Sequence, residues 1–156
     1  MLKNKAYKFR IYPNQKQMEL IEKTFGCTRF VFNYFLEKSI SMYKEEKKTL
    51  RYKDYASMLV EIKKEYEFLK EVDSISLQQS LRHLDAAYSN FFKNKETRFP
   101  KFKSKKNDKS YTTVTVNNNI KIEDKYIILP KLGKVKIKKH RLINQEEIIK
   151  SVVVSR

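Results

Sequence analysis

Basic side chains interleaved with aromatic rings are the residues of this sequence best suited to do chemistry. Such residues can neutralise phosphates and stack on nucleobases. One set surrounds Phe99 and Phe102, and a second alternates with Val135 and Ile137, so that its three lysines project from one strand face. Both sets predict nucleic-acid binding, against the alternative of a solvated basic loop or strand. Their basic members are Arg98, Lys101, Lys103, Lys105, Lys106, Lys134, Lys136 and Lys138.

Two polar groups offer contacts to base edges. Gln78 and Arg82 stand four residues apart on a predicted helix, and both side-chain types make bidentate contacts to bases. Tyr111 and the run of asparagines that begins at Asn117 are further candidates. Arg82 and Tyr111 are also candidates for phosphate or RNA contacts. The alternatives are an ordinary exposed helix face and a plain turn.

Catalytic and metal-binding patterns are weak in this sequence. His83 and His140 have no second His, Cys or carboxylate at ligand spacing. Cys27 follows Gly26 at an expected helix start, where a thiol pKa can fall, but no histidine nearby suggests a dyad. No set of carboxylates stands out as a two-metal site. We therefore expect no catalytic residue, no metal and no cofactor.

The charge balance favours a polyanionic partner. The 156 residues include 35 Lys and Arg against 18 Asp and Glu, a formal charge of +17. Such a charge fits nucleic acid first and an anionic membrane second. The sequence contains no apolar run of the roughly 18 residues that a membrane span needs, and residues 1–13 contain no apolar core of signal-peptide length. A lone cysteine indicates a reducing compartment, so we expect a cytoplasmic protein without a membrane partner.

The elements that must position these residues follow from the pattern of apolar and turn-forming residues. Alternation over residues 5–12 predicts a strand, and Asn14 with Gln17 predicts a capped helix start. Gly26 is expected to end this helix in the left-handed conformation, and a second helix is predicted over 28–47. Two further helices follow, the first with a stripe from Tyr52 to Tyr66 and the second capped by Asp73 or Ser74.

Strand-like runs dominate the sequence after about residue 98. They are predicted at 111–116, 120–122, 126–129, 134–137 and 148–154. The order of elements predicts an α+β fold, in which a small β-barrel contains the first strand (1–12) and the later strands (98–156). Residues 13–97 are then a helical insertion between strands, with 14–47 resembling a helix-turn-helix.

Six motifs closely resemble the TnpB (OrfB) family, whose members are encoded by bacterial insertion sequences. The motifs occur in the family's order and cover essentially the whole chain. They read KAYKFRIYPNQKQ, FGCTRFVFNYFL, LQQSLRHLDAAYSNFF, RFPKFKSKK, SYT followed by NNNIKI, and LPKLGKVKI.

The resemblance implies an RNA-guided DNA nuclease family related to type V CRISPR effectors. It implies a wedge-type β-barrel with an inserted helical recognition lobe, and DNA and a structured guide RNA from the transposon end as partners. By the same resemblance, the residues that face the DNA motif are Tyr52, Ser74, Ile75, Gln78 and Asn117. Contacts to RNA or DNA backbone are implied for Lys5, Lys8, Arg10, Arg29, Lys101 and Lys103.

The matched part leaves out the family's catalytic machinery. The RuvC-like domain, with its acidic metal-binding triad, and the zinc ribbon lie beyond it. We therefore expect binding without cleavage, and a last strand whose open edge favours self-association. Three alternatives stay open: a stand-alone helix-turn-helix regulator formed by 14–47, a nuclease or transposase within this chain, and a non-specific RNA-binding protein.

Overall fold

The computed structural model describes residues 1–94, 96–144 and 146–156. Over these residues the chain forms three α-helices, one 3-10 helix and six strands, which confirms the α+β class. In chain order they are β1 (Arg10–Tyr12), α1 (Gln15–Glu46), α2 (Tyr52–Glu65), the 3-10 helix (Glu67–Glu71), α3 (Ser74–Lys93), β2 (Ser110–Val114), β3 (Lys121–Glu123), β4 (Tyr126–Leu129), β5 (Gly133–Lys138) and β6 (Ser151–Ser155).

The strands form two antiparallel sheets. One has the order β1-β5-β4-β3 and the other consists of β2 and β6. The first strand pairs with β5, with Arg10 opposite Lys138, so the expected association of the first strand with strands more than a hundred residues later is confirmed. Both sheets contribute to one core, called the sheet core, together with two residues of α1. Across the described residues neither sheet closes into a barrel.

The segment before β1 is held by side chains and not by strand pairing. The strand predicted over 5–12 begins only at Arg10. The Tyr7 hydroxyl donates to both carboxylate oxygens of Glu147, at 2.8 and 3.0 Å, and Lys5 forms an ion pair with the same carboxylate at 3.5 Å. The alternating pattern of residues 5–9 therefore reflects docking onto a later segment.

Helix α1 begins at the capping box that the sequence predicts. The Asn14 side chain accepts a hydrogen bond from the backbone N–H of Gln17 at 2.8 Å, and the Gln17 side chain accepts one from the Asn14 N–H at 2.9 Å. The Gln17 amide also donates to the carbonyl oxygens of Leu132 and Lys134, at 3.1 and 2.7 Å. One side chain thus caps α1 and ties it to the turn between β4 and β5.

The predicted helix end at Gly26 is wrong. Helix α1 runs without interruption for 32 residues and ends at Glu46, and the following Lys47 caps it in the left-handed conformation at φ 55°. Before Gly26, Ile21 and Phe25 are buried in the sheet core, and after it Val31 and its neighbours are buried in a second core. Burial on both sides outweighs the roughly 1 kcal/mol that glycine costs inside a helix.

Gly26→Ala is therefore expected to stabilise the protein, by about 0.5–1 kcal/mol, because alanine has the higher helix propensity. An added Cβ would meet nothing closer than the Arg29 side chain, at 3.9 Å. Urea unfolding measures the change. Gly133→Ala is the control, since Gly133 has φ +71° and the substitution should destabilise. Destabilisation by Gly26→Ala would contradict a continuous helix.

The second core, called the helical core, lies between the three helices. Its fully buried side chains include Phe35 of α1, Tyr55 of α2 and Leu81 of α3. The hydroxyl groups of Tyr55 and Ser39 share a buried hydrogen bond of 2.7 Å. Helix α1 is thus the common element of both cores, because different stretches of its length face different partners.

Candidate nucleic-acid interface

The outer face of the first sheet, called the sheet face, carries a dense set of exposed cations. Val135 and Ile137 of β5 are buried in the sheet core, while the three lysines of this strand point outward, as the alternation predicts. Pairing with β1, β4 and β3 places further groups beside them. The sheet face consists of Arg10, Tyr12, Lys121, Glu123, Tyr126, Ile128, Lys134, Lys136 and Lys138.

The positive charge of the sheet face is not neutralised within the protein. Among the residues that the structure describes, none of its five cations forms an ion pair. Its single acid is Glu123. A face with this excess of cations attracts polyanions, and its lysines can bind phosphates. The sequence predicted the lysines but missed Tyr12 and Tyr126, because only the register of pairing places them here.

A second surface group, called the helix face, combines residues of α3 with the start of α2. Ser74, Gln78 and Arg82 recur every four residues along α3 and therefore share one side of the helix. The Arg82 guanidinium lies 4.0 Å from the centre of the Tyr52 ring. The structure thus brings Tyr52 beside a helix that begins more than twenty residues later. Ile75, on a neighbouring row, is half-buried.

Asp85 holds the two parts of the helix face together. Its Oδ1 accepts hydrogen bonds from the Arg51 side chain at 2.9 Å and from the backbone N–H of Tyr52 at 3.2 Å. Arg51 also donates to the Ser89 hydroxyl at 3.3 Å. The sequence did not indicate these contacts, since they join residues more than thirty positions apart. They orient Tyr52 against α3.

The N-terminus of α3 is fastened to β2, the strand that leads to Asn117. Asp73 caps the helix by accepting from the Ile75 N–H at 3.0 Å, and its second oxygen accepts from the Thr113 hydroxyl at 2.5 Å. Asn117 is exposed and lies four residues after Thr113, in a turn where its φ is 52°. The expected motif-reading residues therefore come from α2, α3 and the turn after β2.

The loop after α3, called the basic loop, contains Arg98, Lys101, Lys103, Lys105 and Lys106. It is anchored by one asparagine of α1. The Asn33 side chain donates to the Lys103 carbonyl at 2.9 Å and accepts from the Lys103 N–H at 2.7 Å. The Lys103 ammonium lies 4.7 Å from the centre of the Phe32 ring. The two hydrogen bonds of Asn33 hold the loop on α1. The other basic residues of the loop remain exposed, namely Arg98, Lys101, Lys105 and Lys106.

Arg29 and Tyr111, which are among the expected contact residues, have partners within the protein. The Arg29 guanidinium is half-buried and donates to the Asp108 carbonyl at 2.7 Å. Tyr111 is only 5% exposed, with its ring 5.9 Å from that of Phe25, and burial raises the pKa of its hydroxyl. Tyr111 therefore belongs to the sheet core and is not accessible to nucleic acid, which corrects the expectation for this residue. Lys5 and Lys8 are exposed.

The surroundings of Cys27 and His83 shift the pKa values of both side chains. Cys27 lies inside α1 and not at a helix start, and burial raises the pKa of its thiol to about 11. Partial burial and the charge of Lys103 lower the pKa of His83. Within residues 1–94, 96–144 and 146–156, no three His, Cys, Asp or Glu side chains are grouped to hold a metal ion. None of the helices described is both long and apolar enough to cross a membrane.

Comparison with known proteins decides the family. A family model described as a helix-turn-helix domain, of the OrfB type, matches residues 1–48. InsQ of Escherichia coli, named as a candidate RNA-guided DNA endonuclease, is 34% identical over an alignment 159 positions long, and the alignment covers 99% of this chain. A Streptomyces pristinaespiralis protein with the same kind of name is 39% identical over 113 residues, or 71% of this chain. The chain belongs to the TnpB (OrfB) family of insertion-sequence proteins.

The three relatives differ in how much of their own length they share with this chain. The matches cover 38% of InsQ and 28% of the Streptomyces protein, so the chain spans well under half of either. A third relative, virulence protein VsdF of Salmonella dublin, is 39% identical over 111 residues. That match covers 65% of this chain and 93% of VsdF, so VsdF consists almost wholly of the shared region.

The TnpB-family segment described as a helix-turn-helix contains no turn in this structure. Residues 15–46 of the matched region form the single helix α1. Its aromatic residues Phe25, Phe32 and Phe35 are buried in the two cores and do not face solvent. In this member of the family, the candidate contacts to nucleic acid lie on the sheet face, the helix face and the basic loop.

Proposed function

We propose that this chain is a nucleic-acid-binding part of a transposon-encoded, RNA-guided DNA recognition system, and that it binds without cutting. It grips a structured guide RNA derived from the transposon end and contributes to reading a short motif on duplex DNA, in the cytoplasm. The observation that carries the proposal is the helix face, where the exposed Arg82 and the half-buried Tyr52 and Gln78 come together from two helices. Glutamine and arginine there have the donors and acceptors that base edges require.

The sheet face and the basic loop supply the affinity in this proposal. Their cations are exposed, and phosphate contacts make up most of the binding energy of such proteins. We assign RNA backbone contacts to the lysines of β5 and to Arg10, and further backbone contacts to Lys8, Lys101, Lys105 and Lys106. Base reading and phosphate binding are therefore assigned to different surfaces.

We infer two parts for the chain. Residues 1–12 and 98–156 are the wedge-type unit, whose sheets would close into a barrel when further strands or partners are added, and 13–97 are the inserted recognition lobe. In support, β1 pairs with β5, and β6 pairs with β2 alone among the described strands. The free edge of β6 is the place where another strand would add, including one from a second copy of this chain.

A stand-alone helix-turn-helix regulator is the second candidate, favoured by the description of the family model that matches residues 1–48. The buried aromatic residues of α1 weigh against it, since a groove-reading helix needs an exposed face of polar side chains. The third hypothesis, cleavage by this chain, has no set of acidic side chains to support it within the part of the chain described.

Substitution of Gln78 tests the motif reading. Selection from a randomised duplex library, with the transposon-end RNA present, is expected to enrich a short motif. Gln78→Ala should then weaken binding to the selected duplex about 5- to 150-fold, the value of one bidentate base contact. Binding to unselected duplex should hardly change, because the phosphate contacts remain.

Gln79→Ala is the matched control, since Gln79 is also half-buried and lies about a quarter-turn around α3. It should leave the selected motif and the affinity unchanged. Equal losses in both variants, or selection that yields no motif, would contradict motif reading by the helix face.

A further inference from the structure

Two tyrosines flank a lysine across the sheet face. Tyr12 of β1 and Tyr126 of β4 are both paired with Lys136 of β5, one on each side. Adjacent strands lie roughly 4.8 Å apart, so the two tyrosine backbones are about 10 Å apart with the lysine between them. The three residues form a row perpendicular to the strands, and all three side chains project from the same face.

Both rings remain accessible to solvent. Tyr12 is 45% exposed and Tyr126 is 40% exposed, whereas the adjacent residues Ile11 and Ile127 face the sheet core. The rings are therefore not needed to fill that core. Cross-strand aromatic pairs can stabilise a sheet when they are directly opposite, but here Lys136 separates the two rings. The two exposed rings are therefore available to contact a bound molecule.

The charged neighbours of the two rings on the sheet face are cations, with one exception. Lys134 and Lys138 stand two positions before and after Lys136 in β5, and the Arg10 guanidinium lies 5.8 Å from the centre of the Tyr12 ring. The exception is Glu123, which is paired with Tyr126. Aromatic rings set in a basic surface bind single-stranded nucleic acid, because the rings stack on bases while the cations bind phosphates.

We propose that the sheet face binds an unpaired stretch of nucleic acid, with Tyr12 and Tyr126 each stacking on a base. Lys134, Lys136, Lys138 and Arg10 hold the intervening phosphates. A duplex cannot use this surface fully, since its bases are already stacked on one another. The inference rests on the proposed function and deepens it, because it names unpaired nucleotides as what the sheet face selects.

Binding of labelled single strands tests the proposal. Fluorescence anisotropy with octamers of uridylate and of thymidylate, and with a mixed-sequence duplex of equal length, gives the ratio of single-strand to duplex affinity. The Tyr12→Leu/Tyr126→Leu variant should lower this ratio at least about tenfold, given the known effect of losing a stacking ring. Tyr12→Phe/Tyr126→Phe should restore it to within about threefold, because the rings return. Tighter binding of the uridylate octamer would identify RNA as the nucleic acid that the sheet face binds, and tighter binding of the thymidylate octamer would identify DNA.

Tyr43→Leu is the matched control, since Tyr43 is 53% exposed but lies near the end of α1. It should leave the ratio unchanged. The proposal is overturned if the ratio of single-strand to duplex affinity in the double leucine variant stays within twofold of that of the unmodified chain. It is also overturned if Tyr43→Leu lowers this ratio equally. If the leucine variant fails to fold, photocrosslinking of 5-bromouracil octamers to the unmodified chain decides. Adducts on Tyr12 or Tyr126 support the proposal, and adducts confined to other residues overturn it.

The same titrations separate this inference from the proposed function. If the unmodified chain binds neither single strands nor duplex at low salt, both fail together. If it binds with a steep salt dependence but substitution of the tyrosines leaves the ratio of single-strand to duplex affinity unchanged, only the proposed stacking by Tyr12 and Tyr126 is contradicted.

Discussion

Raising the salt concentration from 50 to 200 mM is expected to weaken the binding of this chain to structured RNA or duplex DNA by a factor of about a thousand or more. A protein that neutralises roughly six to ten phosphates releases that many counterions, which gives such a slope. The exposed cations of the sheet face and the basic loop are numerous enough for this. Filter binding or anisotropy over a salt series measures the slope. A change of less than tenfold would contradict the electrostatic account.

Charge substitutions then locate the phosphate contacts. Replacing the three lysines of β5 by glutamine removes three cations and should reduce the slope of log K against log salt by about 2 for single-stranded nucleic acid. The control replaces Lys44, Lys47 and Lys48, at the far end of α1, and changes the net charge equally. The control should leave the slope nearly unchanged. Equal effects of the two triple variants would show that net charge, and not the sheet face, determines affinity.

Phe35→Ala is expected to destabilise the protein by about 3–5 kcal/mol, a large part of the roughly 5–15 kcal/mol of a typical domain. The ring is fully buried and lies 5.4 Å from the ring of Tyr55 and 5.3 Å from that of Tyr34. Its removal leaves a cavity where α1 meets α2. Urea or thermal unfolding measures the loss.

Phe92→Ala serves as the control for Phe35→Ala. Phe92 is 61% exposed, so its truncation should cost less than about 1 kcal/mol. A loss below 1 kcal/mol for Phe35→Ala would show that the helical core is loosely packed. A variant that loses helix signal but keeps the sheets would show that the two cores unfold separately along α1.

Features set by near neighbours in the chain were predictable. The capping box at Asn14 and Gln17, the cap at Asp73 and the alternation around Val135 and Ile137 are all present as expected. Each depends on residues within four positions, so the periodicity of helix or strand is enough to reveal it. The pairing of the first strand with a late strand followed from element order.

Most features that depend on other distant contacts were not predictable. Gly26 is a strong helix terminator by local rules, yet it stays helical because residues on both sides of it are buried against different partners. Tyrosine is a residue type that often contacts nucleic acid, but the packing of β2 on α1 buries Tyr111. No local pattern indicated the hydrogen bond between Arg51 and Asp85, since this contact depends on α2 lying against α3.

The sequence by itself determined the charge, the caps, the strand faces and the membership of the TnpB family, because composition and short-range spacing encode them. Only the tertiary structure decided which residues share a surface. Tyr12, Lys136 and Tyr126 became a row through strand register, and Tyr52 met Arg82 through helix packing. Register and packing depend on burial summed over the whole chain, so no local pattern contains them.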